Sequence, residues 1–234
     1  MYNDPNLPGA EDLTKQQELP AGCFSSWLLG IRQALVKETG AEVPCGECNA
    51  CCRSSYFIHI RPEETQTLTR IPKALLFPAP LQPKGNKLLG YDEQGRCPML
   101  INDKCSIYDH RSRTCRNYDC RIFTASGIIA GDDSKAMISQ QIRRWKFSYP
   151  TQRDHDQHFA VQAAATFLQE HAKLFPGGFV PSNPTQLAIL ALKVYDVFLK
   201  NNDESGKTGR VASDIEVAKA VMEATEKFEA GRDR

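Results

Sequence analysis

Residues 45–53 have the sequence Cys45-Gly-Glu-Cys48-Asn-Ala-Cys51-Cys52-Arg53, which concentrates four cysteines in one short stretch. Pro44 and Gly46 interrupt helical periodicity here, so a tight loop or a short helical turn is predicted. Because two residues separate successive members of the first three cysteines, three thiolates can converge from this loop on a single metal centre. Adjacent side chains point apart in most backbone conformations, so Cys51 and Cys52 are predicted to serve different centres or to bridge a composite one.

A second group of cysteines lies downstream, at Cys97, Cys105, Cys115 and Cys120. Four plus four thiolates fit two tetrahedral sites, or one cluster with a separate zinc site. Cysteine pairs of the CxxC type open both zinc ribbons and ferredoxin cluster loops, so the spacing leaves zinc and an iron-sulfur centre as alternatives. Cys23 lies outside both groups, ahead of an apolar helical segment, and is predicted to pack as a small hydrophobic residue.

Charge and the N-terminal sequence set the expected compartment and partners. Lys and Arg number 29 against 28 Asp and Glu, giving a formal charge of +1, so neither nucleic acid nor a membrane is an expected partner. The first 20 residues lack the basic and apolar regions of a secretory signal, and no apolar run approaches the length of a membrane span. A cytoplasmic location follows. In that reducing compartment, clustered cysteines bind metal more often than they form disulfides.

Arginines accompany the cysteines in sequence. A zinc ion bound by four thiolates carries a net charge of about −2, and nearby cations would offset it and lower thiol pKa values. The alternative is that these arginines form a solvated surface. They are Arg53, Arg96, Arg111, Arg113, Arg116 and Arg121.

No catalytic residue is predicted. The two histidines near the cysteines, His59 and His110, are expected to form hydrogen bonds rather than to bind metal. The sequence has no glycine-rich phosphate loop, nucleophile elbow or paired-carboxylate signature, so nothing in it favours a nucleotide-dependent or hydrolytic reaction.

The chain divides into three predicted parts: a flexible leader over 1–22, a cysteine-cluster metal-binding module over 23–125, and a helical part over 126–234 packed on it. The predicted fold class is mainly α with a small β-hairpin cysteine-rich metal-binding module (α+β). Apolar periodicity from Phe24 predicts a first helix that stops before Gly40. Later helices are predicted around 135–147, 154–175, 184–200 and 213–230, with Pro184 at one start and the capping box Ser213–Glu216 at another.

Short elements are predicted within the module. They are a strand over 56–60, a short helix from Pro62 to about Arg70, and an extended connector over 71–86 without regular structure. A hairpin is expected to pair 87–91 with 97–101 around Asp92–Gly95, and a second turn is expected at Asn102 and Asp103.

The cysteine pattern, taken with the residues between, is recognisable. Cys45-x2-Cys48-x2-Cys51-Cys52, then Cys97-Pro98, then Cys105-Ser-Ile-Tyr108-x2-Arg111-x3-Cys115-Arg116-x3-Cys120 resembles the YkgJ-like cysteine-cluster (CxxCxxCC) family, described as a "putative zinc- or iron-chelating domain". The resemblance covers roughly Cys45 to Cys120. Ser112 departs from it, because the family usually has proline after the arginine, and this affects only the rigidity of that turn. The resemblance implies metal binding through all eight cysteines.

Two functions are compatible with this pattern. The first is a metal-binding protein that coordinates zinc or an iron-sulfur centre through eight thiolates and organises a surface for a protein partner. The alternative is an iron-sulfur oxidoreductase or a protein-modifying, methylase-like enzyme, because a flagellin lysine-methylating enzyme is similar in its cysteine motif. Whether the protein is an enzyme stays open at this point.

Overall fold

The computed structural model describes residues 17–37, 40–41, 43–199 and 213–231. Most of the leader predicted over 1–22 lies outside these residues, but its end does not: Leu19–Cys23 forms strand β1. None of the described helices combines the length and the apolar character needed to cross a membrane.

The main core is built from helices, which confirms the predicted mainly α class. It is formed chiefly by α1 (Phe24–Lys37), α4 (Arg121–Ser126), α6 (Gln152–Glu170), α7 (Pro184–Val194) and α8 (Asp214–Ala230). Local signals in the sequence set their starts. The Asn183 side chain accepts a hydrogen bond from the Gln186 N–H ahead of α7, and Ser213 and Glu216 form the predicted capping box of α8.

Several helix ends differ from the prediction, including that of α6, which ends at Glu170 rather than near 175. Helix α5 (Ala136–Arg144) stops before Trp145, and Trp145–Ser148 forms strand β7, which pairs in parallel with β1. In β7 the buried side chains of Trp145 and Phe147 alternate with exposed ones, so the helix gives way to a strand where a remote partner strand is available. Helix α7 ends at Val194 and is followed by a 3₁₀ turn, Tyr195–Phe198.

The cysteine-bearing region has small sheets and its own apolar cluster. Strands β2 (Ile58–Ile60), β3 (Leu76–Pro78) and β4 (Lys87–Leu89) form an antiparallel sheet in the order β2-β4-β3. Strands β5 (Leu100–Ile101) and β6 (Lys104–Cys105) form a separate hairpin. The short helices are α2 (Thr65–Leu68) and α3 (Arg113–Asn117). The second cluster contains Ile60, Ile71, Leu89, Met99 and Ile107.

The pairing of these strands corrects two predictions. The connector over 71–86 contains an edge strand, β3, and Pro78 is tolerated at its end because an edge strand has a side that needs no ladder hydrogen bond. The predicted hairpin of 87–91 with 97–101 is wrong, because β4 pairs with β2 and β3, whereas β5 pairs with β6. The turn between β5 and β6 is the predicted one, and both Asn102 and Asp103 have positive φ, as two-residue hairpin turns require. Helix α2 starts at Thr65, three residues after the predicted Pro62.

A buried carboxylate, Asp154, joins α6 to the start of α1. It is 1% exposed and accepts hydrogen bonds from Thr151 Oγ1 (2.6 Å), Cys23 Sγ (3.0 Å) and the Ser25 N–H (2.9 Å). Led by the bond from Thr151, these hydrogen bonds hold the pKa of Asp154 well below its ordinary value of 3.8. The ionised form of Asp154 therefore stabilises the folded state.

This carboxylate predicts a specific acid response. Because the folded pKa lies below the unfolded one, the unfolded state binds the proton first, and stability is lost as pH falls below about 3.8. The Asp154→Asn variant is expected to be less stable than the wild type at neutral pH, with the difference shrinking in acid. Urea unfolding midpoints measured across this range check it, and a difference that does not change with pH would contradict it.

Candidate metal centre

The first cysteine loop is a tight turn followed by a 3₁₀ turn, Ala50–Arg53, as its sequence predicts. The turn closes through a hydrogen bond from the Cys48 N–H to the Cys45 carbonyl (2.9 Å), and Gly46 has a φ of +54° that other residues adopt with difficulty. The loop is anchored at Ala50, which is buried in the main core.

Helix α5 and the residues before it support this loop. Lys135 Nζ donates to the carbonyls of Ser54 (2.6 Å) and Ser55 (2.9 Å), just after the 3₁₀ turn, and the Ile138 N–H donates to Ser54 Oγ (3.1 Å). The Lys135 ammonium group also lies 4.4 Å from the centre of the Tyr56 ring. The first cysteine loop is thereby fixed to the helical part of the chain.

The four cysteines of the second group lie at four separate places in the fold. The Cys97 N–H donates to the Cys52 carbonyl (2.7 Å), which ties the two groups together directly. Cys105 lies in β6, Cys115 lies in α3, and Cys120 immediately precedes α4. The two cysteine groups are therefore far apart in sequence but close together in the folded chain.

Five of the eight clustered cysteines belong to or pack against one of the two apolar clusters. Cys120 is part of the main core, and Cys48 and Cys51 pack against that core. Cys97 and Cys105 pack against the smaller cluster. All nine cysteines of the chain, including Cys23, are free thiols, so no disulfide holds this region together.

Burial and mutual repulsion make ionisation of these thiols difficult. Burial raises the pKa of Cys45 to about 11, with further contributions from Cys48 and Cys51. It raises the pKa of Cys115 to about 12, where Cys51, Cys97 and Cys105 contribute. Without a cation among them, such thiols stay protonated at neutral pH, and a bound metal is the counter-charge that converts them to thiolates.

The adjacent cysteines Cys51 and Cys52 interact with each other. Their sulfur atoms do not point apart but share a hydrogen bond, in which the Cys52 thiol donates and lowers the pKa of Cys51 to about 7. The same bond raises the pKa of Cys52. The pair occupies the 3₁₀ turn, where Cys51 interacts electrostatically with Cys45 in its own loop, and both Cys51 and Cys52 interact with Cys97 and Cys115 in the second group.

Several of the cysteine sulfur atoms accept hydrogen bonds from nitrogen donors. Trp145 Nε1 donates to Cys120 Sγ (3.1 Å), so strand β7 brings an indole into contact with the cysteine group. The backbone N–H of Ala50 donates to the Cys48 sulfur, and that of Met99 donates to the Cys97 sulfur. N–H donors of this kind orient thiolate ligands and adjust the properties of a bound metal.

The arginines divide into two sets. Arg111 lowers the pKa of Cys45 and Cys51 through its charge, as the sequence predicts, and its guanidinium lies 3.6 Å from the centre of the Tyr108 ring. Arg144, which sequence analysis missed, acts likewise on Cys48. The other predicted arginines bind protein partners: Arg53 with Asp103, Arg96 with Asp92, Arg113 with Glu63, Arg121 with Asp119, and Arg116 with the Arg111 carbonyl.

A buried ion pair adjoins Cys120. Asp119 is 2% exposed and Arg121 is 8% exposed, and Arg121 Nη2 lies 2.8 Å from Asp119 Oδ2. Asp119 also accepts a hydrogen bond from Trp27 Nε1 (2.9 Å), and Arg121 donates to the Ala21 carbonyl (3.1 Å). This network links the second cysteine group to α1 and β1. Arg121 is close to Asp119 in sequence, but Trp27 and Ala21, which complete the network, are remote, so no local sequence signal shows that the pair is buried.

The backbone carbonyls of the two histidines near the cysteines accept hydrogen bonds from threonine side chains. The His59 carbonyl accepts a hydrogen bond from Thr114 Oγ1 (2.6 Å), next to Cys115, and the His110 carbonyl accepts one from Thr67 Oγ1 (2.8 Å). The His59 Nε2 atom is buried and, among the described residues, has no hydrogen-bond partner.

Cysteine sulfur atoms are suitable metal ligands, but in the part of the chain that the structure describes their side chains do not converge on one point. Within residues 17–37, 40–41, 43–199 and 213–231, no three His, Cys, Asp or Glu side chains are arranged to hold a metal ion. Unbridged, half-buried thiols are nevertheless the ligands that zinc and iron-sulfur clusters use. Metal binding would therefore require cysteine side chains to rotate towards one another as they lose their protons.

Comparison with known proteins connects this region to one family. A family model described as "CxxCxxCC: Putative zinc- or iron-chelating domain" matches residues 44–143. The match contains both cysteine groups and continues beyond Cys120 through most of α5, the helix that supports the first loop. No curated protein and no solved structure matches the chain. The match confirms the resemblance indicated by the cysteine spacing, and it extends over residues 44–143.

Proposed function

We propose that this protein binds zinc or an iron-sulfur centre through eight cysteine thiolates in the reducing cytoplasm. The supporting observation is the meeting of two cysteine groups from distant stretches, tied by the hydrogen bond from the Cys97 N–H to the Cys52 carbonyl. The thiols are free, and five of the eight belong to or pack against an apolar cluster, where water competes poorly for a metal. The family description, zinc or iron chelation, agrees with this donor chemistry.

The eight ligands are proposed to form two adjacent sets of four. The first set is Cys45, Cys48, Cys51 and Cys120, which are linked electrostatically, and Cys48, Cys51 and Cys120 associate with the main core. The second set is Cys52, Cys97, Cys105 and Cys115, of which Cys97 and Cys105 pack against the smaller cluster. The two sets meet at the Cys51–Cys52 pair.

Residues around the cysteines would stabilise and orient the thiolates that bind the metal. Arg111 offsets the negative charge of the thiolates, and Trp145 orients the Cys120 sulfur through its indole N–H. A bound metal would join both apolar clusters, so its binding free energy would add directly to folding stability.

A second candidate function is an iron-sulfur oxidoreductase or a protein-modifying, methylase-like enzyme. The observation that favours it is the set of N–H donors to Cys48, Cys97 and Cys120, because hydrogen bonds to sulfur tune the reduction potentials of iron-sulfur clusters.

Anaerobic purification tests both candidates in one measurement. A colourless protein with zinc bound in proportion to the chain is expected for a structural zinc centre. A brown protein that contains iron and acid-labile sulfide, with visible absorption that bleaches on reduction, is expected for the second candidate. Material kept reduced throughout that contains neither metal and still folds fully would refute the proposal.

A further inference from the structure

The hairpin that joins β3 to β4 presents an exposed leucine at its tip. Leu81 is 103% exposed, so its whole side chain lies in solvent, and its φ is +58°. A left-handed conformation strains a leucine, and exposure of an apolar side chain adds a second unfavourable contribution. Neither contributes to packing among the described residues, so Leu81 is available for a contact with another molecule.

The tip is held in place. The Ala79 N–H donates to the Asn86 carbonyl (3.0 Å), and Asn86 Nδ2 donates to the Pro83 carbonyl (2.8 Å). Gly85, with a φ of +103°, lies so close to Pro62 that an added Cβ would be 3.3 Å from the proline ring. Prolines further restrict the backbone of the hairpin. Leu81 is thus displayed on a restrained hairpin.

Positive charge surrounds this tip. Residues 65–91 contain four basic side chains and no Asp or Glu, although the whole chain is nearly neutral. The basic residues are Arg70, Lys73, Lys84 and Lys87. A cavity of about 540 Å³ beside the tip is lined by Lys84, Asn86, His59 and Arg61, among others. Its single carboxylate, Glu63, lies 3.9 Å from Arg61. The field at the hairpin is therefore locally positive.

More apolar surface is exposed on the same sheet. The side chain of Phe77, in β3, is 50% exposed, and those of Phe57 and Tyr91, beside β2 and β4, are 58% and 41% exposed. Gly90 leaves room between Phe57 and Phe77, since a Cβ there would contact both rings. The small sheet thus combines protruding apolar side chains with lysines.

We propose that the β3–β4 hairpin docks on an anionic lipid bilayer, with Leu81 entering the acyl region and Lys84 and Lys87 facing the phosphate headgroups. A lipid surface of uniform negative charge complements a stretch that has cations and no carboxylates. The residue at the tip favours lipid over single-stranded nucleic acid, because leucine offers no ring on which a base could stack, and the exposed aromatic side chains lie in and beside the strands instead. The nearly neutral net charge of the chain gives no indication of this surface, because a local electrostatic field does not depend on the total charge.

Co-sedimentation of the metal-loaded, full-length protein with vesicles tests the proposal. Binding is expected to phosphatidylglycerol-containing vesicles at low salt, and little to pure phosphatidylcholine. Leu81→Asn should weaken binding roughly tenfold or more, because the buried leucine surface is lost. The fold should persist, since asparagine tolerates positive φ. Lys84→Gln should weaken binding about fivefold through loss of one cation.

The matched control is Leu29→Gln, which alters a leucine that is 60% exposed on α1, away from the hairpin. Its vesicle binding should equal that of the wild type. Absence of vesicle binding, equal binding to neutral vesicles, or unchanged binding of Leu81→Asn would overturn the proposal. So would binding of a single-stranded oligonucleotide in place of vesicles.

Discussion

Replacement of Cys115 by serine is expected to release metal and to unfold the cysteine module. Serine has no ionisable sulfur, so one of the proposed sets loses a ligand. Cys115 lies in α3, whose neighbour Thr114 holds β2 through the His59 carbonyl, so the disturbance should spread to the small sheet. Because a structural zinc supplies about 10–16 kcal/mol of folding free energy, loss of a ligand is expected to cost several kcal/mol. Elemental analysis per chain and thermal denaturation measure the two effects.

Two further variants make this result specific. Cys48→Ser should release metal in the same way, since Cys48 belongs to the other proposed set. Cys23→Ser should leave metal content nearly unchanged, because the Cys23 thiol donates to Asp154 in α6, and serine can replace that donor. Equal metal loss from Cys23→Ser, or full metal retention in Cys115→Ser, would contradict the assignment of eight ligands.

Replacement of Asp119 by alanine is expected to lower the free energy of unfolding by about 3–5 kcal/mol. The change leaves the Arg121 guanidinium buried without its carboxylate and removes the acceptor of the Trp27 indole. An uncompensated buried charge accounts for most of this cost. Urea denaturation of the metal-loaded protein provides the measurement.

An exposed pair and a double variant serve as controls for Asp119→Ala. Glu18→Ala removes a carboxylate that lies 3.5 Å from Lys146 Nζ with both side chains more than half exposed, and its cost should stay below about 1 kcal/mol. Combining Asp119→Leu with Arg121→Met should recover much of the lost stability, because neither charge then remains buried. A loss for Asp119→Ala as small as that for Glu18→Ala would show that the ion pair contributes little.

The elements predicted best are those with local signals. Helix α1 starts at Phe24 as its apolar periodicity predicts, and α8 starts after the capping box of Ser213 and Glu216. The turn at Asn102 and Asp103 also follows from residue type, because both tolerate positive φ. Each of these signals acts between residues a few positions apart.

The elements predicted worst depend on remote partners. Strand β7 is formed by residues that continue a helical pattern, and only parallel pairing with β1 favours the extended form. Strand β4 was assigned the wrong neighbour because it pairs with strands on both sides, β2 and β3. Composition and spacing contain little information on which strands meet.

The sequence by itself determined the donor chemistry: eight cysteines in two spaced groups, a family resemblance carried by the residues between them, and helices with defined ends. Only the tertiary structure decided which cysteines lie together, that Cys51 and Cys52 share a hydrogen bond, and that Asp119 and Arg121 are buried beside Cys120. The physical reason is the distance along the sequence over which each effect acts. Side-chain type and local backbone preference act over a few residues, whereas burial, ion pairing and convergence of thiols depend on contacts between segments that the chain brings together only on folding.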